Sequence, residues 1–187
     1  AYLIYTITYT WILSWRFDGF HSSAFDMGFV DHAIWSTAKG NFLACTICKG
    51  GTYLGEHFSP FLSLFSIPYF WSETLTFQFL LQSAVLGSGC FILFFICKKL
   101  DLGNLTSVML SLLLLCYQPL RAANTFDLRE DILFVPVFFL LALAVEFQSA
   151  ALVLLVAVLS WGIKENAPLF TAAIGIYCIA SRNIKKS

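Results

Sequence analysis

The sequence has little charge and no excess of either sign. Charged residues make up only 12% of its 187 residues, and 11 Lys and Arg are balanced by 11 Asp and Glu. A soluble domain has about a quarter charged residues, so the class of soluble globular domains is excluded. The balance also gives no basic surface for DNA or RNA, and we expect no nucleic-acid partner.

What the sequence has instead is apolar segments, since 59% of its residues are hydrophobic. A membrane-spanning helix needs about 20 apolar residues, with a range near 17 to 25. The sequence therefore predicts an all-α, polytopic transmembrane protein forming a single transmembrane domain, with membrane lipids as partners. The predicted segments, some of them short for a full span, are 1–17, 75–97, 105–120, 132–145, 150–163 and 167–181.

The last two segments are separated by a polar break at Lys164, Glu165 and Asn166. A single helix of about 31 residues would be about 46 Å long at 1.5 Å per residue, longer than a bilayer core of about 30 Å. We therefore predict two short helices. Polar residues at such a break either anchor the chain at the interface or line a cavity.

Basic residues indicate the orientation of the chain. Lys98 and Lys99 fall on the same side as Arg182, Lys185 and Lys186 when the six segments alternate. That side is predicted to be cytoplasmic, because Lys and Arg concentrate in short cytoplasmic loops.

The opposite side carries most of the acidic residues. It contains an outer loop over residues 18–74, a turn over 121–131 and the polar break. Ionisable residues in a membrane protein usually mark function, so a polar site is predicted on the outer face. Nine of the 11 acidic residues lie on this side: Asp18, Asp26, Asp31, Glu56, Glu73, Asp127, Glu130, Asp131 and Glu165.

The cysteines do not form an obvious metal site. Cys45 and Cys48 form a C-x-x-C pair without a second Cys or His pair at a matching spacing, so a disulfide or two free thiols is favoured over zinc. The other four lie in apolar runs, where a thiol behaves as a small hydrophobe. These are Cys90, Cys97, Cys116 and Cys178.

The outer loop is predicted to contain an interfacial helix over residues 24–39, capped by Ser22 or Ser23. Asp26 and Asp31 are five residues apart, about 140° around such a helix, so at most one should face a common site. His57 follows Glu56, but adjacent side chains diverge. An interfacial hydrogen bond and a functional role therefore both stay open for His57.

Four motifs appear in a recognisable order: F-D-M-G-F-V-D-H-A-I-W from Phe25, G-E-H-F-S-P from Gly55, A-N-T-F-D-L-R-E-D from Ala123 and K-E-N-A from Lys164. As a set they resemble a bacterial polytopic membrane-protein family known as domain of unknown function 2079. That family in turn resembles the glycosyltransferase C superfamily. The resemblance implies that this chain is the N-terminal part of a longer protein of the bacterial cytoplasmic membrane.

The resemblance also implies an activity. Glycosyltransferase C enzymes take a sugar from a polyprenyl-phosphate lipid at the outer face, and their first outer loop holds a catalytic Asp. Here that residue would be Asp26, with Asp31 as the second choice. Residues expected to bind the substrate are His57, Asp127, Arg129, Lys164 and Glu165.

One motif departs from the family pattern F-D-F-H-P-E, because Arg129 stands where the family has a histidine. That change argues against proton transfer there and leaves phosphate binding open, since Arg can hold phosphate with two hydrogen bonds. The only cofactor considered is a divalent metal bridging Asp26 and Asp127.

Two other classes compete with the enzyme. A lipid or solute transporter would use the polar break as a discontinuous helix, but the sequence shows no internal repeat. A non-catalytic subunit would pack against partner helices of other membrane subunits. Gly87 and Gly89 permit such close approach, although they lack the G-x-x-x-G spacing.

Overall fold

The described part of the chain, residues 1–184 of this computed structural model, contains eight α-helices and no β-strand. The predicted all-α class is therefore confirmed. The helices are α1 (Tyr2–Asp18), α2 (Ala24–Ala38), α3 (Thr76–Lys99), α4 (Asn104–Cys116), α5 (Gln118–Thr125), α6 (Phe134–Glu146), α7 (Ala150–Ser160) and α8 (Ala167–Ile184).

The loop over residues 18–74, predicted from the sequence to be the outer loop, begins with the predicted helix. The Ser23 hydroxyl caps α2 by accepting a hydrogen bond from the Asp26 amide at 3.2 Å. In the rest of the loop, a disulfide closes the short ring from Cys45 to Cys48, and α2 packs against the last of the three 3-10 segments. Those segments are Lys49–Gly51, Tyr53–Gly55 and Pro60–Phe70; a fourth, Glu130–Leu133, precedes α6.

Helix α3 is the centre of the structure and packs against α1, α4 and α6. Its two glycines allow the closest approaches. A Cβ added to Gly87 would lie 3.0 Å from the Tyr5 ring of α1, and one added to Gly89 would lie 3.3 Å from Val135 and Phe139 of α6. The small residues are thus used for packing within this chain.

The segment predicted over residues 105–120 is divided between α4 and α5, which are bent by 43°. The bend occurs at Tyr117, whose backbone is extended with φ −64° and ψ 120°. Pro119 accounts for it, because proline has no N–H to donate to the carbonyl of Leu115 in a continuous helix.

Within residues 1–184, α3 is the one helix long and apolar enough to cross a membrane by itself, and α4 and α5 meet the same criterion as a bent pair. Helices α7 and α8 are apolar but shorter, and they are separated by residues 161–166, where the polar break was predicted. Lys185 and Lys186, which contributed to the predicted orientation, lie outside the described residues.

Candidate functional site

Four polar segments meet at one end of the helices and enclose a cavity of about 190 Å³. They are the start of α2, the loop around His57, the turn before α6 and the break before α8. We call this the polar cavity, and its charged and ionisable lining residues are Asp26, Tyr53, Glu56, His57, Arg129, Glu130 and Lys164. The apolar part of the lining includes Phe25, Phe29 and Val30.

Asp26 and Arg129 form an ion pair in the wall of the polar cavity. The Asp26 Oδ2 and Arg129 Nη2 atoms are 3.5 Å apart, and the side chains are 43% and 40% exposed. The Arg129 guanidinium also lies over the Phe126 ring, 4.4 Å from its centre, and the Arg129 amide donates to Gln82 Oε1 at 3.4 Å. The contact with the Phe126 ring and the hydrogen bond to Gln82 hold Arg129 at the cavity wall. Its guanidinium stays accessible from the cavity.

Lys164 reaches from the polar break to the turn before α6. Its Nζ lies 3.1 Å from Glu130 Oε1 and 3.0 Å from Asp131 Oδ2. Burial by itself lowers the pKa of Lys164, but the two carboxylates outweigh it and raise the pKa above its usual value. Lys164 therefore stays charged and closes one side of the cavity.

Glu130 is the most buried charged residue of this site, with 1% of its surface exposed. Besides Lys164, its carboxylate accepts hydrogen bonds from the Tyr53 hydroxyl at 3.1 Å and the Ser59 hydroxyl at 3.4 Å. Burial, together with the charge of Glu130, raises the pKa of Tyr53 and keeps its proton on the phenol. Glu130 thus connects the outer loop to the polar break.

His57 pairs with Glu165 and not with its neighbour Glu56. The His57 Nδ1 lies 3.0 Å from Glu165 Oε1, and Glu165 Oε2 accepts from the Phe58 amide at 3.0 Å. Partial burial raises the pKa of Glu165, but the bond to His57 opposes this and the net shift is downward. Glu56 instead accepts from the backbone amide of Lys49.

Three predicted site residues do not line the polar cavity: Asp127, Asp31, and Glu165, which reaches it only through His57. Asp127 is 6% exposed and accepts a hydrogen bond from the Ser23 amide at 2.8 Å, so it fixes the start of α2 against the turn before α6. Asp31 accepts a hydrogen bond from the Tyr69 hydroxyl and lines a different cavity. Burial raises the pKa of Asp31, although the Tyr69 hydroxyl opposes the shift.

The arrangement offers little support for a bound metal. Asp26 faces Arg129, and Asp127 is occupied by a backbone amide. Across residues 1–184, no group of three or more His, Cys, Asp or Glu side chains is placed to hold an ion. Asp26 and Asp127 are therefore not arranged as the pair of metal ligands considered from the sequence.

Glu130, Asp131 and Tyr53 belong to the site and were not among the residues expected to bind substrate. Glu130 and Asp131 could have been predicted from the sequence. Lys164 lies between two apolar segments and needs a negatively charged partner, and these two acids directly follow Arg129 in a motif already assigned to the same side. Tyr53 gave no such signal. Its partner Glu130 is 77 residues away in the chain.

Fold and site together define a helical protein with a charged cavity at one end. The profile of the family described as "Predicted membrane protein (DUF2079)" matches residues 16–187, and the chain belongs to this family. No curated protein and no solved structure is significantly similar to the chain. The family description establishes a membrane protein and gives no activity.

Proposed function

We propose that the chain contains the donor site of a polytopic membrane glycosyltransferase, which takes a sugar from a polyprenyl-phosphate lipid at the outer membrane face. The observation that carries the proposal is the position of Asp26 and Arg129 in one cavity, 3.5 Å apart and both partly exposed. A carboxylate that accepts a proton and a guanidinium that binds phosphate are the two groups this transfer needs.

The outer surfaces of the helices support a chain that crosses the membrane several times. Large apolar side chains are exposed along several helices, as expected where the surroundings are lipid. They include Leu3, Ile4, Ile7 and Trp11 of α1, Leu105, Met109 and Leu113 of α4, and Leu154, Leu155 and Val158 of α7.

The distribution of charge supports the outer location of the site. The polar cavity lies at the end of α3 opposite Lys98 and Lys99, which occupy the last turn of that helix. Basic residues at a helix end are typical of the cytoplasmic side. The cavity is then on the outer side, where a lipid-linked sugar would be presented.

The transfer follows from the side chains of the cavity. An acceptor hydroxyl attacks the anomeric carbon, the bond from that carbon to the phosphate oxygen breaks, and Asp26 accepts the hydroxyl proton. Arg129 binds the leaving polyprenyl phosphate. Because Arg129 pairs with Asp26 at 3.5 Å, a phosphate that draws the guanidinium away also frees the carboxylate to act as the base.

The remaining predicted residues have supporting roles in this proposal. His57, whose Nδ1–H donates to the Glu165 carboxylate, accepts a hydrogen bond from a sugar hydroxyl at Nε2. Lys164 neutralises Glu130 and so reduces the negative charge that the phosphate meets in the cavity. Asp127 positions Asp26 by fixing the start of α2, and Asp31 is less suited to catalysis because it lines another cavity.

Binding of the lipid phosphate tests the role of Arg129. For the full-length protein in nanodiscs, we expect Arg129→Gln to weaken binding of polyprenyl phosphate about tenfold to a hundredfold, because a charged hydrogen bond to phosphate is lost. Binding of the uncharged polyprenol should not change. The quantity measured is the dissociation constant of each lipid.

Lys39→Gln is the matched control for this experiment. It removes a cation from the outer loop, where Lys39 pairs with Glu73 at 2.7 Å, away from the polar cavity. The proposal predicts that this variant binds polyprenyl phosphate like the wild type. Equal affinity of wild type and Arg129→Gln would exclude Arg129 as the phosphate ligand.

The structure supports the alternative of a non-catalytic subunit less than the sequence does. Gly87 and Gly89, which suggested contact with partner helices, lie against α1 and α6 of the same chain. A transporter would use the polar cavity to pass its substrate and would need no proton acceptor. Retention of function after Asp26→Asn would favour the non-catalytic subunit over the enzyme.

A further inference from the structure

A second cavity lies on the opposite face of α2 and is larger than the polar cavity, at about 580 Å³. Successive helical residues turn by about 100°, so Phe25, Asp26 and Phe29 point to one side of α2 while Met27 and Asp31 point to the other. The structure agrees with this division, because the two groups line different cavities. We call the second one the apolar cavity.

The walls of the apolar cavity are mostly hydrophobic. Phe17 and Phe20 come from the end of α1 and the following turn, Met27 from α2, and Leu75 from the residue before α3. Its volume is within the range of about 300 to 1,000 Å³ typical of small-molecule sites.

The charged groups of the lining are both negative. They are Asp18 and Asp31, and no Lys, Arg or His lines the cavity. Among the described residues, neither carboxylate takes part in an ion pair. A cavity with apolar walls and two unneutralised carboxylates is complementary to a ligand with an apolar body and a positive group.

Two residues with unusual backbone features line the cavity. Gly28 lines it, and a Cβ added there would meet no atom within 4 Å. Phe20 has a φ of 60°, in the left-handed region that bulky side chains rarely adopt, and its side chain is 95% exposed. Such strain is often found at functional sites. Here it holds an aromatic ring at the edge of the cavity.

We propose that the apolar cavity binds a single-chain amphiphile carrying a primary ammonium group. The alkyl chain packs against Phe17, Met27 and Leu75, and the ammonium lies between Asp18 and Asp31. The two carboxylates would repel a lipid phosphate, so this ligand differs from that of the polar cavity. The inference stands whether or not the protein transfers sugars.

Decylamine is a suitable probe, because it has only an alkyl chain and an ammonium group. We expect saturable binding of labelled decylamine to the full-length protein in phosphatidylcholine nanodiscs, above the uptake by empty nanodiscs. Gly28→Leu should weaken it at least about tenfold, because the new side chain occupies space that the alkyl chain needs. The fold should tolerate the change, since nothing stands within 4 Å.

Gly175→Leu is the matched control, because Gly175 is also a helical glycine with open space around it, in α8. It should bind decylamine like the wild type. Asp31→Asn should weaken decylamine about tenfold and leave decanol unaffected, because only the amine is charged.

Three results would overturn the inference. They are the absence of saturable decylamine binding, an unchanged affinity in Gly28→Leu, and decanol or decanoate binding as tightly as decylamine. Weaker binding in Asp26→Asn but not in Gly28→Leu would assign the amine to the polar cavity and also reject the proposal.

Discussion

Lys164→Met is expected to destabilise the fold by about 3–5 kcal/mol, the usual result of removing one partner from a buried ion pair. Glu130 is 1% exposed and Lys164 supplies its positive charge at 3.1 Å, so the variant leaves a carboxylate buried without compensation. Tyr53 and Ser59 still donate to Glu130, but neutral donors do not replace a cation. Unfolding of the full-length protein in detergent measures the loss.

The double variant Lys164→Met with Glu130→Gln separates charge from packing. It should recover most of the lost stability, because the buried group is then neutral. Lys39→Met, which breaks an exposed pair with Glu73, should have no resolvable effect. If Lys164→Met unfolds like the wild type, Lys164 does not neutralise a buried Glu130.

Asp26→Asn is expected to lower the rate of sugar transfer by about 10²- to 10⁴-fold, the contribution of a positioned general base. Asn has nearly the same size but accepts no proton. Stability should change little, because the Asp26–Arg129 pair is about 40% exposed on both sides. The measurement is transfer of labelled sugar from a polyprenyl-phosphate donor by the full-length protein in membranes.

Asp101→Asn is the control for that experiment, since Asp101 lies just after α3, at the end opposite the polar cavity. It should transfer sugar at the wild-type rate. A larger loss in Asp31→Asn than in Asp26→Asn would reverse the choice between the two candidates. An unchanged rate in Asp26→Asn would remove the carboxylate from the proposed mechanism.

The helices were predictable from the sequence because their signals are local. Apolar length indicated α3, Ser23 gave the start of α2, and Lys164 to Asn166 gave the gap between α7 and α8. The division of α4 from α5 was missed although Pro119 was visible. The prediction followed the length of the apolar segment and did not consider that proline lacks the backbone N–H that a continuous helix needs at that position.

The site was only partly predictable, because its contacts join distant segments. The sequence indicated that Asp26, Arg129 and Lys164 share one side, and all three line the polar cavity. Nothing local reveals that Asp127 binds the amide of Ser23, 104 residues earlier in the chain. Partners of that kind are set by how the helices pack.

The most direct test of the account is the position of polyprenyl phosphate in a cryo-EM structure of the full-length protein in nanodiscs. We predict that the phosphate lies within hydrogen-bonding distance of the Arg129 guanidinium, with Asp26 facing the anomeric position and the cavity opening to the outer leaflet. A phosphate bound away from Arg129, or a cavity that opens to the cytoplasmic leaflet, would contradict the proposed function.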